Sequence, residues 1–235
     1  MTTFVVAHGA WSAGWAWKKM RPLMRAAGHA LVTPTYTGVG ERSHLAHEGI
    51  DLNHHITDIL QVLEYEDLAD VVLIGHSYGG MVATGDADRA APRIRQIIYL
   101  DAFVPKHGES AMSLQPVAVQ ERMRAAVAAD GKGWRVPANP MPPDTAVDDV
   151  AWAMPKRVMQ PIKTLTQPIS LTGAAAHLPR SYIYCRKSGP GDVFRQFANR
   201  AQAEVGWRYV EMDASHNPHI TCPDALMDIL TGLVC

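Results

Sequence analysis

The feature that most restricts the fold of this chain is a glycine-flanked serine between an apolar stretch and a helix-like one. Residues 71–74 read Val-Val-Leu-Ile and lead directly into Gly75-His76-Ser77-Tyr78-Gly79, a G-x-S-x-G motif. The apolar run predicts a buried strand, and residues 81–91 predict the helix that follows. An isolated motif of this kind is often an ordinary glycine-rich turn. Between a strand and a helix, however, it is typical of a tight turn that exposes a nucleophilic serine, here Ser77.

The rest of the chain repeats this alternation of short apolar runs and helix-like segments. A chain of 235 residues can bury one large core, so we expect a single domain over residues 1–235. The alternation predicts an α/β fold, with a mostly parallel sheet covered by helices on both faces. The predicted strands are residues 3–7, 30–34, 71–75, 94–100, 181–185 and 207–212. The predicted helices are residues 15–27, 56–65, 81–91 and 224–234.

The alternation breaks down over about residues 106–178, a stretch that is rich in proline and lies between two predicted strands. We expect an inserted cap of short helices over the carboxyl edge of the sheet, where ligands bind in open α/β sheets. Its apolar side chains are candidates for an adaptable substrate pocket, and each is also a candidate for the cap's own core. The candidate pocket residues are Trp152, Met154 and Met159, with Trp134, Met112, Met123 and Met141 nearby in the sequence.

Acyl transfer requires N–H donors for the oxyanion of the tetrahedral intermediate. One is usually the N–H of the residue after the nucleophile, and the other comes from an early strand-to-helix loop. These rules select Tyr78 and, from the loop at residues 8–11, Ala10 with Trp11 as the alternative. His8 is expected to be structural, because its early position does not suit the order serine, acid, histidine.

The predicted general base is His216, in the loop after the last predicted strand. His219 is the competitor, but it follows Pro218 and is closer to the terminal helix. Four more histidines, at positions 44, 47, 54 and 55, form a local cluster in a polar stretch. No carboxylate or cysteine spacing completes a metal site there, so we expect a solvated loop and helix start.

The candidates for the catalytic acid depart from the commonest arrangement of this fold, in which the acid lies in the loop after the penultimate strand. Ser188 occupies the expected position in that loop, and the loop's carboxylate, Asp192, resembles a helix N-cap. Asp101 lies at the end of the strand that follows the nucleophile helix. It preserves the order serine, acid, histidine, in an arrangement that resembles the haloalkane dehalogenases. We favour Asp101, with Asp192 as the alternative.

Charge and composition narrow the range of partners. The chain has 22 Lys plus Arg and 23 Asp plus Glu, and a net charge of −1 provides no basic field for nucleic acid or anionic membrane. No apolar run approaches the ~18 residues of a membrane span, and no basic leader is apparent at the start of the sequence. We expect a small-molecule partner, and a homodimer stays open.

Three cysteines, Cys185, Cys222 and Cys235, are widely separated and lack the short spacings of zinc or redox sites. Reduced thiols in a cytoplasmic protein are the simplest interpretation.

Several stretches together resemble the plant methylesterase and hydroxynitrile lyase group of α/β-hydrolases and its bacterial esterase relatives. They are residues 4–11 (Phe-Val-Val-Ala-His-Gly-Ala-Trp), 27–29 (Ala-Gly-His), 75–80 and the loop around His216. Residues 33–45 and 100–105 are similar to a bacterial subgroup that includes carbendazim-hydrolysing esterase. The resemblance spans nearly the whole chain and is weakest in the cap. It implies an α/β-hydrolase that cleaves small carboxylic esters through an acyl-enzyme, without metal or organic cofactor.

This family contains both esterases and cyanohydrin lyases. The lyases carry a threonine beside the oxyanion loop and a lysine directly after the catalytic histidine, positions that Gly9 and Asn217 occupy here. Without the lysine no cation stabilises departing cyanide, so the resemblance favours hydrolysis. The alternatives are a carbamate or amide hydrolase, a cyanohydrin lyase, and a small-molecule receptor with vestigial hydrolase activity.

Overall fold

A parallel sheet is the framework of the protein. The computed structural model describes residues 1–189 and 191–234. The strands are β1 (Thr3–Ala7), β2 (Ala30–Val32), β3 (Val71–His76), β4 (Ile94–Leu100), β5 (Arg135–Val136), β6 (Gln160–Pro161), β7 (Arg180–Cys185) and β8 (Trp207–Met212). Six of them form one sheet in the order β2-β1-β3-β4-β7-β8, and every neighbouring pair is parallel.

Helices cover this sheet on both faces, which confirms the predicted architecture. The α-helices are α1 (Met20–Ala26), α2 (Leu52–Tyr65), α3 (Gly79–Arg89), α4 (Val117–Ala129), α5 (Val147–Ala153), α6 (Ile162–Thr166), α7 (Arg195–Ala203), α8 (Pro218–Thr221) and α9 (Pro223–Val234). Short 3-10 helices occupy Gly14–Trp17, Gly40–Leu45, Ala91–Arg93 and Met154–Lys156. Within the described part of the chain, none of the helices has the length and apolarity needed to span a bilayer.

Successive residues of the inner strands point into opposite cores, as the pleat of a strand requires. In β1, Phe4 and Val6 belong to the core that includes side chains of α1 and α9. Val5 and Ala7 belong to the core that includes side chains of α2, α3 and α7. Burial on both faces explains why β1 and β3 appear in the sequence as largely continuous apolar runs.

The helices predicted at 81–91 and 224–234 match α3 and α9 to within two residues, whereas the other two predicted helices differ more from the structure. The predicted helix at 15–27 is divided into a 3-10 segment and α1, which starts at Met20 so that Pro22 falls in the first turn, where a missing N–H is tolerated. The helix predicted to begin at residue 56 begins at Leu52. Asp51 forms a capping box with His54 and satisfies N–H groups at that end.

The segment between β4 and β7 contains α4, α5, α6 and an antiparallel ribbon of β5 and β6. The ribbon was not predicted, because strands of two residues have no recognisable periodicity. The Trp11 indole N–H donates to the Val136 carbonyl oxygen over 2.9 Å. The ribbon therefore lies against the loop that follows β1, at the carboxyl edge of the sheet.

The strand order locates a crevice at that same edge. β1 has β2 on one side and β3 on the other, so the chain leaves β1 and β3 in opposite directions. Ligands bind at such switch points in open α/β sheets. The loop at residues 8–11 and the turn at Ser77 both flank this point.

A substitution at Gly79 tests how closely the turn that carries Ser77 packs against the sheet. A Cβ at Gly79 would overlap the Ala7 carbonyl oxygen, which is part of rigid strand backbone. We expect Gly79→Ala to lower the free energy of unfolding by about 3 kcal/mol in urea denaturation. The control is Gly232→Ala, on an exposed position of α9 with nothing within 4 Å, which should gain about 0.5–1 kcal/mol. A Gly79→Ala variant as stable as wild type would contradict the packing described.

Candidate active site

Ser77 has a left-handed backbone at the junction of β3 and α3. Its φ is +56°, a conformation that is unfavourable for residues with a Cβ. Two hydrogen bonds to the end of β4 hold it there: the Ser77 N–H donates to the Leu100 oxygen, and the Phe103 N–H donates to the Ser77 oxygen, each over 3.2 Å. The turn is thus fixed, and Ser77 is partly exposed.

His216 lies within hydrogen-bond distance of both Ser77 and Asp101. Its Nε2 is 2.9 Å from Ser77 Oγ, and its Nδ1 is 2.6 Å from Asp101 Oδ2. Because the carboxylate accepts from Nδ1–H, the Nε2 lone pair is directed at the serine hydroxyl. The imidazole stacks on Phe194 with ring centroids 4.9 Å apart and planes 9° apart. His76 Nε2–H donates to the His216 carbonyl oxygen over 2.8 Å and fixes the loop.

Asp101 is buried at the end of β4 and also has a left-handed backbone, with φ +43°. Its second carboxylate oxygen accepts the Cys185 N–H over 3.3 Å, and its own N–H donates to the Ile183 oxygen over 2.8 Å. Burial raises the pKa of Asp101 above its usual value, and the hydrogen bond with His216 opposes this shift. The carboxylate is therefore desolvated yet paired on both oxygens.

Asp192, the alternative acid, is occupied elsewhere. It accepts the Phe194 and Arg195 N–H groups over 3.1 Å each, and the Tyr184 hydroxyl over 2.5 Å. The two backbone bonds close the turn that precedes α7, whose own N-cap is Phe194, so Asp192 caps this turn and is not the helix N-cap that the sequence suggested. None of the described hydrogen bonds joins Asp192 to His216. Ser188 occupies the position that holds the acid in the commonest arrangement of this fold. Its hydroxyl donates to the Cys185 oxygen over 2.9 Å.

The predicted oxyanion donors flank Ser77. Tyr78 is the N-cap residue of α3, and Ala10 lies in the loop after β1. Among the described residues neither N–H donates a hydrogen bond to another group of the chain. The alternative donor, the Trp11 N–H, is already used: it donates to Gln160 Oε1 over 3.2 Å.

An aromatic cluster lies beneath these donors. The His8 and Tyr36 rings are 3.8 Å apart, and Tyr36 stacks on His55 at 4.5 Å. The Tyr36 N–H donates to His8 Nε2, so His8 Nδ1–H donates to the Gly9 oxygen over 2.9 Å and stabilises the loop at residues 8–11. Burial lowers the pKa of His8 to about 4, which keeps the ring neutral.

His55 differs from the sequence prediction. Histidines 44, 47 and 54 are exposed, as expected for a solvated stretch, but His55 is fully buried. Its Nδ1 is 3.0 Å from the Tyr78 hydroxyl and its Nε2 is 3.2 Å from the Thr37 oxygen. The spacing of Leu52 and Ile59, three residues before and four after, could have assigned His55 to the buried face of α2. No group of three or more potential metal ligands occurs among the described residues.

The competing base, His219, has a packing role. Its ring stacks on Trp17 with centroids 4.7 Å apart and planes 11° apart, and it packs edge-on to His76 at 4.6 Å. Burial lowers the pKa of His219 to about 3. It has no described hydrogen bond to Ser77.

The candidate pocket residues lie in different surroundings. Trp152 packs edge-on against Trp15 at 5.2 Å, on the face of the sheet covered by α1 and α9. Met154 is 36% exposed, and Met159 is partly buried beside Gln160. Trp152 thus packs against this core, with Lys156 Nζ 5.3 Å from its ring centroid, whereas Met159 directly precedes Gln160, which accepts the Trp11 N–H.

Comparison with known proteins identifies the family. A model of the alpha/beta hydrolase family matches residues 4–229 of the chain. The chain belongs to the α/β-hydrolase family. The fold and the resemblance predicted from the sequence are thereby confirmed.

Individual relatives of this α/β-hydrolase include bacterial and plant proteins. Carbendazim hydrolyzing esterase of Nocardioides sp. (strain SG-4G) is 40% identical, over 99% of this chain and 100% of that protein. Methylesterase 2 of Arabidopsis thaliana is 30% identical over 54% of this chain and 48% of its own length. An extracellular α/β-hydrolase from a Paenibacillus species superposes with a TM-score of 0.88 at 21% identity, covering 99% of this chain and 98% of its own. At that identity the superposition shows the fold alone.

The buried histidines predict how stability depends on pH. The pKa of His219 is about 3 in the folded protein and near 6.5 when unfolded, so the unfolded chain binds more protons between these values. Stability is therefore lost as pH falls below about 6.5. In urea denaturation, His219→Phe should reduce the loss between pH 7 and pH 5 by about 2 kcal/mol. The control His177→Phe, at an exposed position, should not. An equal loss in His219→Phe and wild type would contradict the burial of a neutral ring.

Proposed function

We propose that the chain is a serine hydrolase that cleaves small carboxylic esters through an acyl-enzyme on Ser77. The observation that carries this proposal is the continuous hydrogen-bonded chain from Ser77 through His216 to Asp101, at 2.9 and 2.6 Å. Those distances fit a nucleophile, a base and an orienting carboxylate. The chain's relatives include esterases, among them the one that is 40% identical over its full length.

The first half-reaction forms the acyl-enzyme. Ser77 Oγ attacks the ester carbonyl while His216 Nε2 takes the hydroxyl proton, and Asp101 stabilises the resulting imidazolium. The Ala10 and Tyr78 N–H groups bind the oxyanion, and donors of this kind are typically worth ~3 kcal/mol each in the barrier. His216 then gives the proton to the leaving alcohol. In the second half-reaction His216 activates a water molecule that releases the acid.

Asp101 is the acid of this proposal, and Asp192 is not. The support is that Asp101 Oδ2 faces the His216 nitrogen away from Ser77, whereas Asp192 caps the turn before α7. A carboxylate following β4 can serve because β4 lies beside β3 in the sheet, which brings its end close to the nucleophile turn.

A carbamate or amide hydrolase is the second candidate, since the same serine and histidine suit attack on a carbonyl that bears nitrogen. The observation that favours it is the full-length relative named for carbendazim hydrolysis. Carbendazim and an aryl carbamate assayed beside the matched carboxylic ester would rank these substrates by kcat/KM. The cyanohydrin lyase is disfavoured, because a Cβ at Gly9 would lie 3.1 Å from Ser77 Cβ and because Asn217 supplies no cation.

A receptor with vestigial turnover is the alternative from another class. Tight binding of a small ligand without turnover would support the receptor. The cytoplasmic location and the homodimer considered from the sequence stay predictions.

p-Nitrophenyl acetate tests the proposed activity. Wild type should hydrolyse this ester. When the reaction is quenched with acid, mass spectrometry should detect an acetyl group on the peptide that contains Ser77. Ser77→Ala removes the nucleophile, so we expect kcat to fall by ~10⁴-fold or more while the melting temperature stays close to that of wild type. Undiminished turnover in Ser77→Ala would exclude this serine.

The acid is tested by paired variants of equal size. Asp101→Asn should lower kcat by ~10³- to 10⁴-fold, because an amide favours the wrong tautomer of His216. Asp192→Asn should keep kcat within about threefold and change the free energy of unfolding by less than about 1 kcal/mol, because asparagine accepts the same two N–H groups. Both are measured on folded protein with the same ester. If only Asp192→Asn lost activity by orders of magnitude, the acid assignment would be wrong.

A further inference from the structure

The loop that carries Ala10 is bound to the inserted ribbon through its neighbour Trp11. The Trp11 backbone N–H donates to Gln160 Oε1 over 3.2 Å, and the indole N–H donates to the Val136 oxygen over 2.9 Å. Val136 and Gln160 are cross-strand partners in the ribbon. Both bonds therefore end on one cross-strand pair, which ties the loop to the ribbon.

The orientation of the Gln160 amide is determined by its neighbours. Oε1 faces the Trp11 N–H, which can only donate, while Nε2 donates to Thr164 Oγ1 over 2.8 Å. The Thr164 hydroxyl uses its one hydrogen on the Pro161 oxygen over 2.7 Å, so its oxygen must accept from Gln160. Gln160 is 1% exposed, and removing either partner would leave a buried polar group unpaired.

Trp11 depends on this support because its φ is +56°, a left-handed conformation that costs about 1–2 kcal/mol outside glycine. The peptide between Ala10 and Trp11 carries the N–H that Gln160 accepts. That peptide shares the Ala10 Cα with the peptide that carries the Ala10 N–H, so a displacement of the Trp11 end of the loop also displaces the Ala10 N–H.

We propose that Gln160 is a positioning residue that ties the inserted ribbon to the oxyanion loop and thereby holds the Ala10 N–H in place. The inference rests on the proposed function, and it extends it: the insertion contributes to the rate of acyl transfer as well as to the fit of substrate. A donor that matters only for the developing oxyanion changes kcat and leaves ground-state binding alone.

Gln160→Leu tests this inference against a matched glutamine. Gln167, also in the insertion, accepts the Asn53 N–H over 3.0 Å and donates to Asp51 over 3.2 Å, with no described contact to the oxyanion loop. With p-nitrophenyl acetate, Gln160→Leu should lower kcat by ~10- to 100-fold with KM within about twofold. Gln167→Leu should leave both constants within about twofold. A boronic acid that forms a tetrahedral adduct with Ser77 should lose affinity by the same factor as kcat.

A second pair covers the case in which Gln160→Leu does not fold. Thr164→Val removes the acceptor of Gln160 Nε2, and Thr166→Val removes a hydroxyl of the same helix that bonds only the Ile162 oxygen, over 3.2 Å. We expect a kcat loss of ~3- to 10-fold in Thr164→Val and none in Thr166→Val. Unchanged kcat in folded Gln160→Leu or Thr164→Val, or a loss confined to KM, would overturn the inference.

The rate at which a fluorophosphonate labels Ser77 separates this inference from the proposed function. Labelling also develops charge on an oxygen but requires no ester turnover, so Gln160→Leu should slow it by the same factor as kcat. If wild type does not hydrolyse esters, the proposed function fails, and the labelling rates alone decide the role of Gln160. Equal labelling of wild type and Gln160→Leu would overturn that role.

Discussion

Left-handed backbone at the ends of three adjacent strands is the constraint on which this site depends. Trp11, Ser77 and Asp101 follow β1, β3 and β4, and each has a positive φ, of +56°, +56° and +43°. Such conformations cost about 1–3 kcal/mol each and persist only where surrounding structure enforces them. At Ser77 and Asp101 the parallel register enforces them, since the strand ends bond to one another across the sheet. At Trp11 the two bonds to the inserted ribbon do so. Hydroxyl, carboxylate and oxyanion loop are brought together as a result.

Histidines surround the site, and burial divides their roles. His8, His55 and His219 are fully enclosed, and burial lowers their pKa values to about 4, 3 and 3, so they act as neutral hydrogen-bonding or stacking groups. His216 differs because it is partly exposed, faces a hydroxyl and is paired with a buried carboxylate. Those are the surroundings that a general base requires. The insertion adds a further element, since its ribbon binds the loop that carries one proposed oxyanion donor.

The parts of this arrangement that follow from local sequence could be predicted. The strand, glycine turn and helix around Ser77 are contiguous, and the double burial of β1 and β3 is visible as apolar runs. The choice between Asp101 and Asp192 could only be ranked, because it depends on which loop comes near His216 in space. The bond between Trp11 and Gln160 joins residues 149 positions apart and left no signal in the sequence. His55 was misassigned because the polar stretch around it obscured the helical spacing of its apolar neighbours.

A double-mutant cycle on His216 and Asp101 tests the central claim most directly, namely that these residues act as one unit on Ser77. The rate of acyl-enzyme formation is measured for His216→Ala, Asp101→Asn and the double variant, each verified as folded. The account predicts that the double variant is no slower than the slower of the two single variants, because the carboxylate acts only through the imidazole. Losses that multiply in the double variant would mean that Asp101 acts independently of His216, and would contradict the account.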